Sequence, residues 1–305
     1  MESKKYSNVQ VNIKDIIFVF LPILISVVIQ YVVIIGDIIV LFIMNVLSDE
    51  RSAKTISAAT ILERDYNQPM NMAFMSVARY LVYGLVFCTW YYKVYVRDNS
   101  KGAENKVGEI IKTSCKKTFA SIIPLILIIV GYASQLFVDA IMTLVRPIFT
   151  EAFAQYDKLV ANVVGVYSSP VMLIAVIILA PIAEEFMFRG LVQGYALKSI
   201  SPMWGIILQG FLFGLYHGNI VQGVYAFVLG TLLGYLAYRY KTLVPGIILH
   251  MAINASLLII PKSLFETTTT TVITAVVTGI AIIVGLVVMF KKDSKLVENI
   301  EIVEE

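Results

Sequence analysis

The stretch IIFVFLPILISVVIQYVVIIGDIIVLFIMNVL, residues 16–47, decides the fold class. Its only charged side chain is Asp37, and about 20 apolar residues in a helix suffice to cross roughly 30 Å of hydrocarbon while satisfying their own backbone polar groups. The run is too long for the apolar region of a secretory signal and has no obvious small-residue cleavage site, so it reads as a retained first span. Similar runs recur at 70–96, 119–145, 168–197, 203–217, 220–239, 243–260 and 271–290. Together they predict an all-α polytopic membrane protein with about eight transmembrane helices. Composition agrees: 58% of residues are hydrophobic, 15% are charged and the mean hydropathy is +0.82, whereas soluble domains are roughly 45–50% apolar.

The net charge of +3 is too small to imply a nucleic-acid partner, and the basic residues lie between apolar runs instead of forming one stripe. With the N-terminus inside, the loops on one side hold fifteen lysines and arginines and those on the other hold six. That asymmetry places both termini in the cytoplasm. The abundance of isoleucine and lysine points to an AT-rich genome, hence to a multi-pass protein of a bacterial plasma membrane. Cys88 and Cys115 offer neither a disulfide framework nor a CxxC metal site.

There is no Pro-, Gly- or Ser-rich linker and no internal repeat, so one integrated membrane domain is expected. It comprises N-terminal helices and polar connectors (1–160), a core (161–265), and a last helix with a charged cytoplasmic tail (266–305). The connectors at 49–69 and 97–118 are expected to carry short interfacial helices, and Thr267–Thr271 to be a loop entering the last span. Ten of the eighteen glycines fall between 181 and 260. The four-residue spacings of Gly210, Gly214 and Gly218, and of Gly230 and Gly234, predict helices packed closely in lipid.

Within these apolar surroundings stand Glu184, Glu185 and Arg189 in the fourth run, His217 at the end of the fifth, and His250 with Asn254 in the seventh. Both histidines of the chain are in this group. A charged group at mid-bilayer costs at least about 2.5–3.5 kcal/mol, so such residues face a partner or a wet cavity. Glu185 and Arg189 are four apart with the acid first, which suits a structural ion pair. Glu184 points about 100° away and has Phe188, not a cation, at i+4, which leaves its carboxylate free to act as a general base. His250 and Asn254 share a helix face and read as two neutral donors suited to a developing oxyanion. Phe213 is placed to wall the imidazole of His217. Asp37, Arg79 and Asp139 have no motif around them and are expected in packing or loop-edge roles.

The same residues carry a family resemblance. Glu184-Glu185-Phe-Met-Phe-Arg189 resembles the EExxxR motif, Phe213-Gly-Leu-Tyr-His217 the FxxxH motif, and His250-Met-Ala-Ile-Asn254 the HxxxN motif of the CAAX protease and bacteriocin-processing (CPBP, or Abi) membrane family. The motif-bearing match covers about residues 165–260. The resemblance implies an intramembrane endopeptidase similar to type II CAAX prenyl endopeptidases. In it Glu184 and His217 would activate water, His250 and Asn254 would form the oxyanion hole, and Glu185 and Arg189 would match the remaining motif positions.

The implied partners are the bilayer and a membrane-associated protein or peptide substrate, of the CAAX, bacteriocin or pheromone-processing kind. The sequence sets no oligomeric state. No cofactor is favoured, and the alternative is a zinc site of Glu184, His217 and His250; no HExxH helix is present. The alternative to an enzyme is a catalytically silent membrane regulator or immunity protein of the same fold.

Overall fold

Length sorts the apolar segments into two kinds in the computed structural model, which describes residues 13–48, 68–97, 115–116, 118–119, 121–164 and 169–292. Six helices are long and apolar enough to cross a membrane. They are α1 (Ile13–Ser48), α2 (Pro69–Tyr91, prolonged by a π-helical stretch to Arg97), α3 (Ile123–Val145), α5 (the segment Pro170–Ser199), α7 (Ile220–Tyr240) and α9 (Thr268–Lys292). Between them lie α4 (Thr150–Val164), α6 (Pro202–Tyr216) and α8 (Val244–Ser256).

Of the about eight spans expected, six are long enough among the described residues, whereas α6 and α8, of 15 and 13 residues, rise only about 22 and 20 Å. Both fall short of a hydrocarbon core roughly 30 Å thick. No strand occurs among the described residues. The chain is an integral membrane protein of all-α class.

Local chemistry sets the helix ends. Pro170 opens α5 and Pro202 opens α6, where a missing backbone N–H costs nothing. The Asn219 side chain caps α7 by accepting from the backbone N–H groups of Val221 (3.0 Å) and Gln222 (3.2 Å). Thr267–Thr271 is a helix start more than a loop, since α9 begins at Thr268 and Thr267 Oγ1 accepts from the Thr270 N–H at 3.1 Å. The connector from 146 onward holds α4, a helix the sequence did not announce, with Arg146 paired to Asp157 at 2.6 Å. Nearly all of the two connectors expected to form interfacial helices, 49–69 and 97–118, lies outside the described residues.

The glycine spacing marks a real helix contact, with one exception. α6 and α7 pack antiparallel so tightly that a Cβ at Gly214 would stand 2.5 Å from the Gly223 carbonyl oxygen, and one at Gly210 3.1 Å from that of Phe227. Gly230 and Gly234 lie in the same contact region. Gly218 does not: it has open space around it and φ of +67°, so it turns the chain out of α6 in a conformation that other residues adopt at a cost. On the other side of the core, α3 meets α8 and α9 around Leu127, Val130, Leu249 and Met289, all fully buried.

Gly214→Leu should lower the thermal unfolding temperature in detergent sharply, since forcing a branched side chain into this contact costs about 1–3 kcal/mol or more. Gly36→Ala, where nothing lies within 4 Å, should leave it unchanged or raise it.

Candidate active site

The segment α5 is not a uniform helix. Two π-helical stretches, Ala175–Leu179 and Glu185–Val192, flank a short α-helical piece that contains Pro181 and ends at Glu184. Wide turns of this kind leave a carbonyl without its usual partner and often mark functional positions. Here one such carbonyl is used: Asn254 Nδ2 of α8 donates to the Val176 oxygen at 2.8 Å.

Glu185 is the centre of the buried charge. Its Oε1 stands 3.0 Å from Arg189 Nη1 and 3.0 Å from His250 Nδ1, with both Glu185 and Arg189 fully shielded. The Arg189 contact is close in distance but misaligned for a hydrogen bond. Its Nη2 donates instead to the Gly230 carbonyl at 3.2 Å, and its guanidinium carbon lies 4.3 Å from the Phe213 ring centroid. A Cβ at Gly246, one turn before His250, would come 2.8 Å from Glu185 Oε2. The glycine thus lets α8 approach the carboxylate.

The other nitrogen of the same imidazole faces the neighbouring glutamate: His250 Nε2 lies 3.7 Å from Glu184 Oε2. One histidine therefore stands between two carboxylates. A carboxylate can only accept, so the Glu185 contact assigns a proton to Nδ1. His217, the C-cap of α6, is fixed by a backbone group instead. Its Nδ1 is 2.8 Å from the Phe213 carbonyl, which likewise can only accept, so in the neutral ring Nε2 is the bare, basic nitrogen. Phe213 packs edge-on to both imidazoles, with centroids 4.7 Å from His217 and 5.8 Å from His250.

Glu184, His217, His250 and Asn254 all line one cavity of about 870 Å³, which α1, α2, α3, α4, α6 and α7 also help to wall. Glu185 and Arg189 sit behind it, away from its lining. Arg79 and Asp139 line the same cavity, although the sequence placed them in packing or loop-edge roles; Asp37 does not line it. Sequence reasoning also passed over Gln193 and Gln209, both buried, whose amides donate to the Gly234 and Gly230 carbonyls at 3.0 and 2.7 Å. They fasten α5 and α6 to α7. Their signal was available, as polar side chains in apolar runs, but uncharged amides carry no motif.

All six predicted site residues fall within residues 167–256, and that stretch matches the family model described as Type II CAAX prenyl endopeptidase Rce1-like. Over those residues the chain is similar to the CAAX-protease family. No curated protein and no solved structure gives a match to the chain. The matched stretch holds α5 to α8, while α1 to α4 and α9 lie outside it.

Among the described residues no three His, Cys, Asp or Glu side chains converge as a metal site requires, and Glu184, His217 and His250 are all described.

Removing the cation from the buried cluster should be costly. Arg189→Met leaves Glu185 without its guanidinium and should destabilise the protein by about 3–5 kcal/mol, read as a fall in unfolding temperature. Arg189→Met combined with Glu185→Gln should recover part of the loss.

Proposed function

We propose that the protein is an intramembrane endopeptidase that hydrolyses a peptide bond of a membrane-associated protein or peptide without a metal. The observation that carries this reading is the convergence of Glu184, His217, His250 and Asn254 on one cavity inside a CAAX-protease-family domain. Glu184 takes a proton from the attacking water, and the bare Nε2 of His217 accepts the water's second hydrogen bond and holds it in line. As the water oxygen bonds to the scissile carbon, the carbonyl electrons move to its oxygen. Asn254 keeps one Nδ2 proton for that oxyanion after donating the other to Val176. Collapse of the intermediate breaks the C–N bond, and the proton held by Glu184 passes to the leaving amine.

His250 can donate to the oxyanion only if Nε2 also carries a proton, because Nδ1–H is committed to Glu185. The ring then acts as an imidazolium, not as the neutral donor its sequence position implies. The cluster supports this state: Glu184, Glu185, Arg189 and an imidazolium at His250 sum to zero charge in a site that lipid and protein shield. The basic residues also gather at one end of the bundle, with Lys198 Nζ 4.7 Å from the Tyr195 ring centroid, Tyr195 stacked on Phe18 near the start of α1, and Arg239 over Phe290 near the end of α9. That end is proposed to face the cytoplasm, in a bacterial plasma membrane.

Glu184→Gln should fold normally and abolish cleavage. Comparative membrane proteomics of cells expressing wild type or this variant should reveal a substrate whose cleaved form disappears, and Asn254→Ala should slow its cleavage by about 10²–10³-fold. A Glu184→Gln chain that restores every cellular effect of the wild type would return the protein to the role of a silent regulator.

Cleavage by the purified protein should survive exhaustive chelation, with metal analysis finding less than one zinc per chain. Stoichiometric zinc whose removal stops cleavage would replace the metal-free mechanism.

A further inference from the structure

The cavity that holds Glu184 is lined by one lysine or arginine, Arg79 of α2. Among the described residues no carboxylate pairs with it. Its guanidinium carbon lies 4.9 Å from the ring centroid of Tyr80, and its other electrostatic neighbours are the phenols of Tyr83 and Tyr216. The acids on the cavity wall are engaged elsewhere: Asp139 accepts from Gln135 Nε2 at 3.0 Å, and Glu184 faces His250. Three phenols give a guanidinium ring faces and oxygen atoms but no formal negative charge. A cation within a membrane span that has no anion among the described residues faces a wet cavity or a charged ligand.

Its place relative to the reaction centre is fixed by those phenols. The Tyr83 hydroxyl donates to the Ser26 carbonyl at 2.8 Å and lies 3.5 Å from the Tyr216 hydroxyl. Tyr216 immediately precedes His217, and its ring packs against Phe188 in the core. Arg79 is therefore held beside the helix end that carries the water-positioning histidine, on the wall of the same cavity.

We propose that Arg79 forms a carboxylate-binding subsite, which positions a peptide by an acidic group while Glu184 and His217 act on a nearby bond. The inference rests on the peptidase reading above and narrows its substrate class to peptides that present a carboxylate inside the membrane cavity. A guanidinium fork suits this task because it can grip both carboxylate oxygens at once. The carboxylate has two sources, a free peptide C-terminus or an Asp or Glu side chain, and the chemistry of the subsite is the same for both.

The test is binding to the full chain in detergent micelles, which needs no turnover. Three probes are used: dodecanoyl-Ala-Ala-Ala-Leu as the free acid, the same peptide as its C-terminal amide, and an amide in which Glu replaces the final Leu. Wild type should bind the free acid or the Glu-containing amide about 10-fold or more tighter than the plain amide, the scale of a charge-assisted contact. Whichever of the two binds tighter identifies the source. Arg79→Gln should erase the preference and Arg79→Lys should retain part of it. Equal binding of all three probes, binding of none, or a preference that persists in Arg79→Gln would overturn the subsite.

Phenylglyoxal labelling of Arg79 in the wild-type protein, read by peptide mass spectrometry, gives the same answer without a variant. The preferred carboxylate probe should protect Arg79 and the plain amide should not; equal protection by both counts against the subsite. Absence of the binding preference in wild type, with cleavage still dependent on Glu184, refutes the subsite alone. Cleavage that is indifferent to Glu184→Gln refutes the peptidase reading alone.

Discussion

A carboxylate with no access to water has to be matched by positive charge and hydrogen-bond donors, and the arrangement of this core follows from that requirement at Glu185. Arg189 meets it from the same segment and His250 from α8, both at 3.0 Å. Because the two partners come from different parts of the chain, satisfying the carboxylate also fixes α8 against α5. Arg189 in turn reaches across to the Gly230 carbonyl of α7 and lies over Phe213 of α6. One buried charge thus ties together the four segments that match the family model. In lipid, where apolar side chains gain little by leaving the solvent, polar ties of this kind and close glycine contacts replace the hydrophobic effect as the source of specific packing.

The geometry also separates structural from chemical duties within a few ångströms. Glu185 is sealed, whereas Glu184 opens on the cavity, and a single imidazole touches both. The protons on that ring are constrained on one side by a structural carboxylate and offered on the other to the cavity. His217 is constrained in the same way by the Phe213 backbone carbonyl. In both rings Nδ1 is anchored by an oxygen acceptor, which assigns that nitrogen a proton.

Much of this was legible in the sequence, and what was not has identifiable causes. The spans follow from apolar run length, and the pairing of Glu185 with Arg189 follows from i,i+4 spacing. The same geometry treats Glu184 and Glu185 as pointing apart, and it cannot foresee that one five-membered ring, with a nitrogen on each side, meets both. The run 203–217 looks like a span by composition, but the proline at its start and the turn at Gly218 limit the helix to 15 residues. Arg79 and Asp139 lie more than forty residues before Glu184 in the chain, and only tertiary structure brings them to the same cavity. Gly210, Gly214 and Gly218 share a spacing but not a job, because a four-residue period does not reveal where the helix stops.

The two short helices have a consequence for the surrounding lipid. α6 presents Trp204 and Phe211 outward, yet it is about 8 Å shorter than the hydrocarbon core. Beside it the acyl chains must compress or the protein must tilt, at a cost of a fraction of a kcal/mol per ångström. Bilayer thickness, set by acyl chain length, becomes a variable that acts on the same helix whose end carries His217.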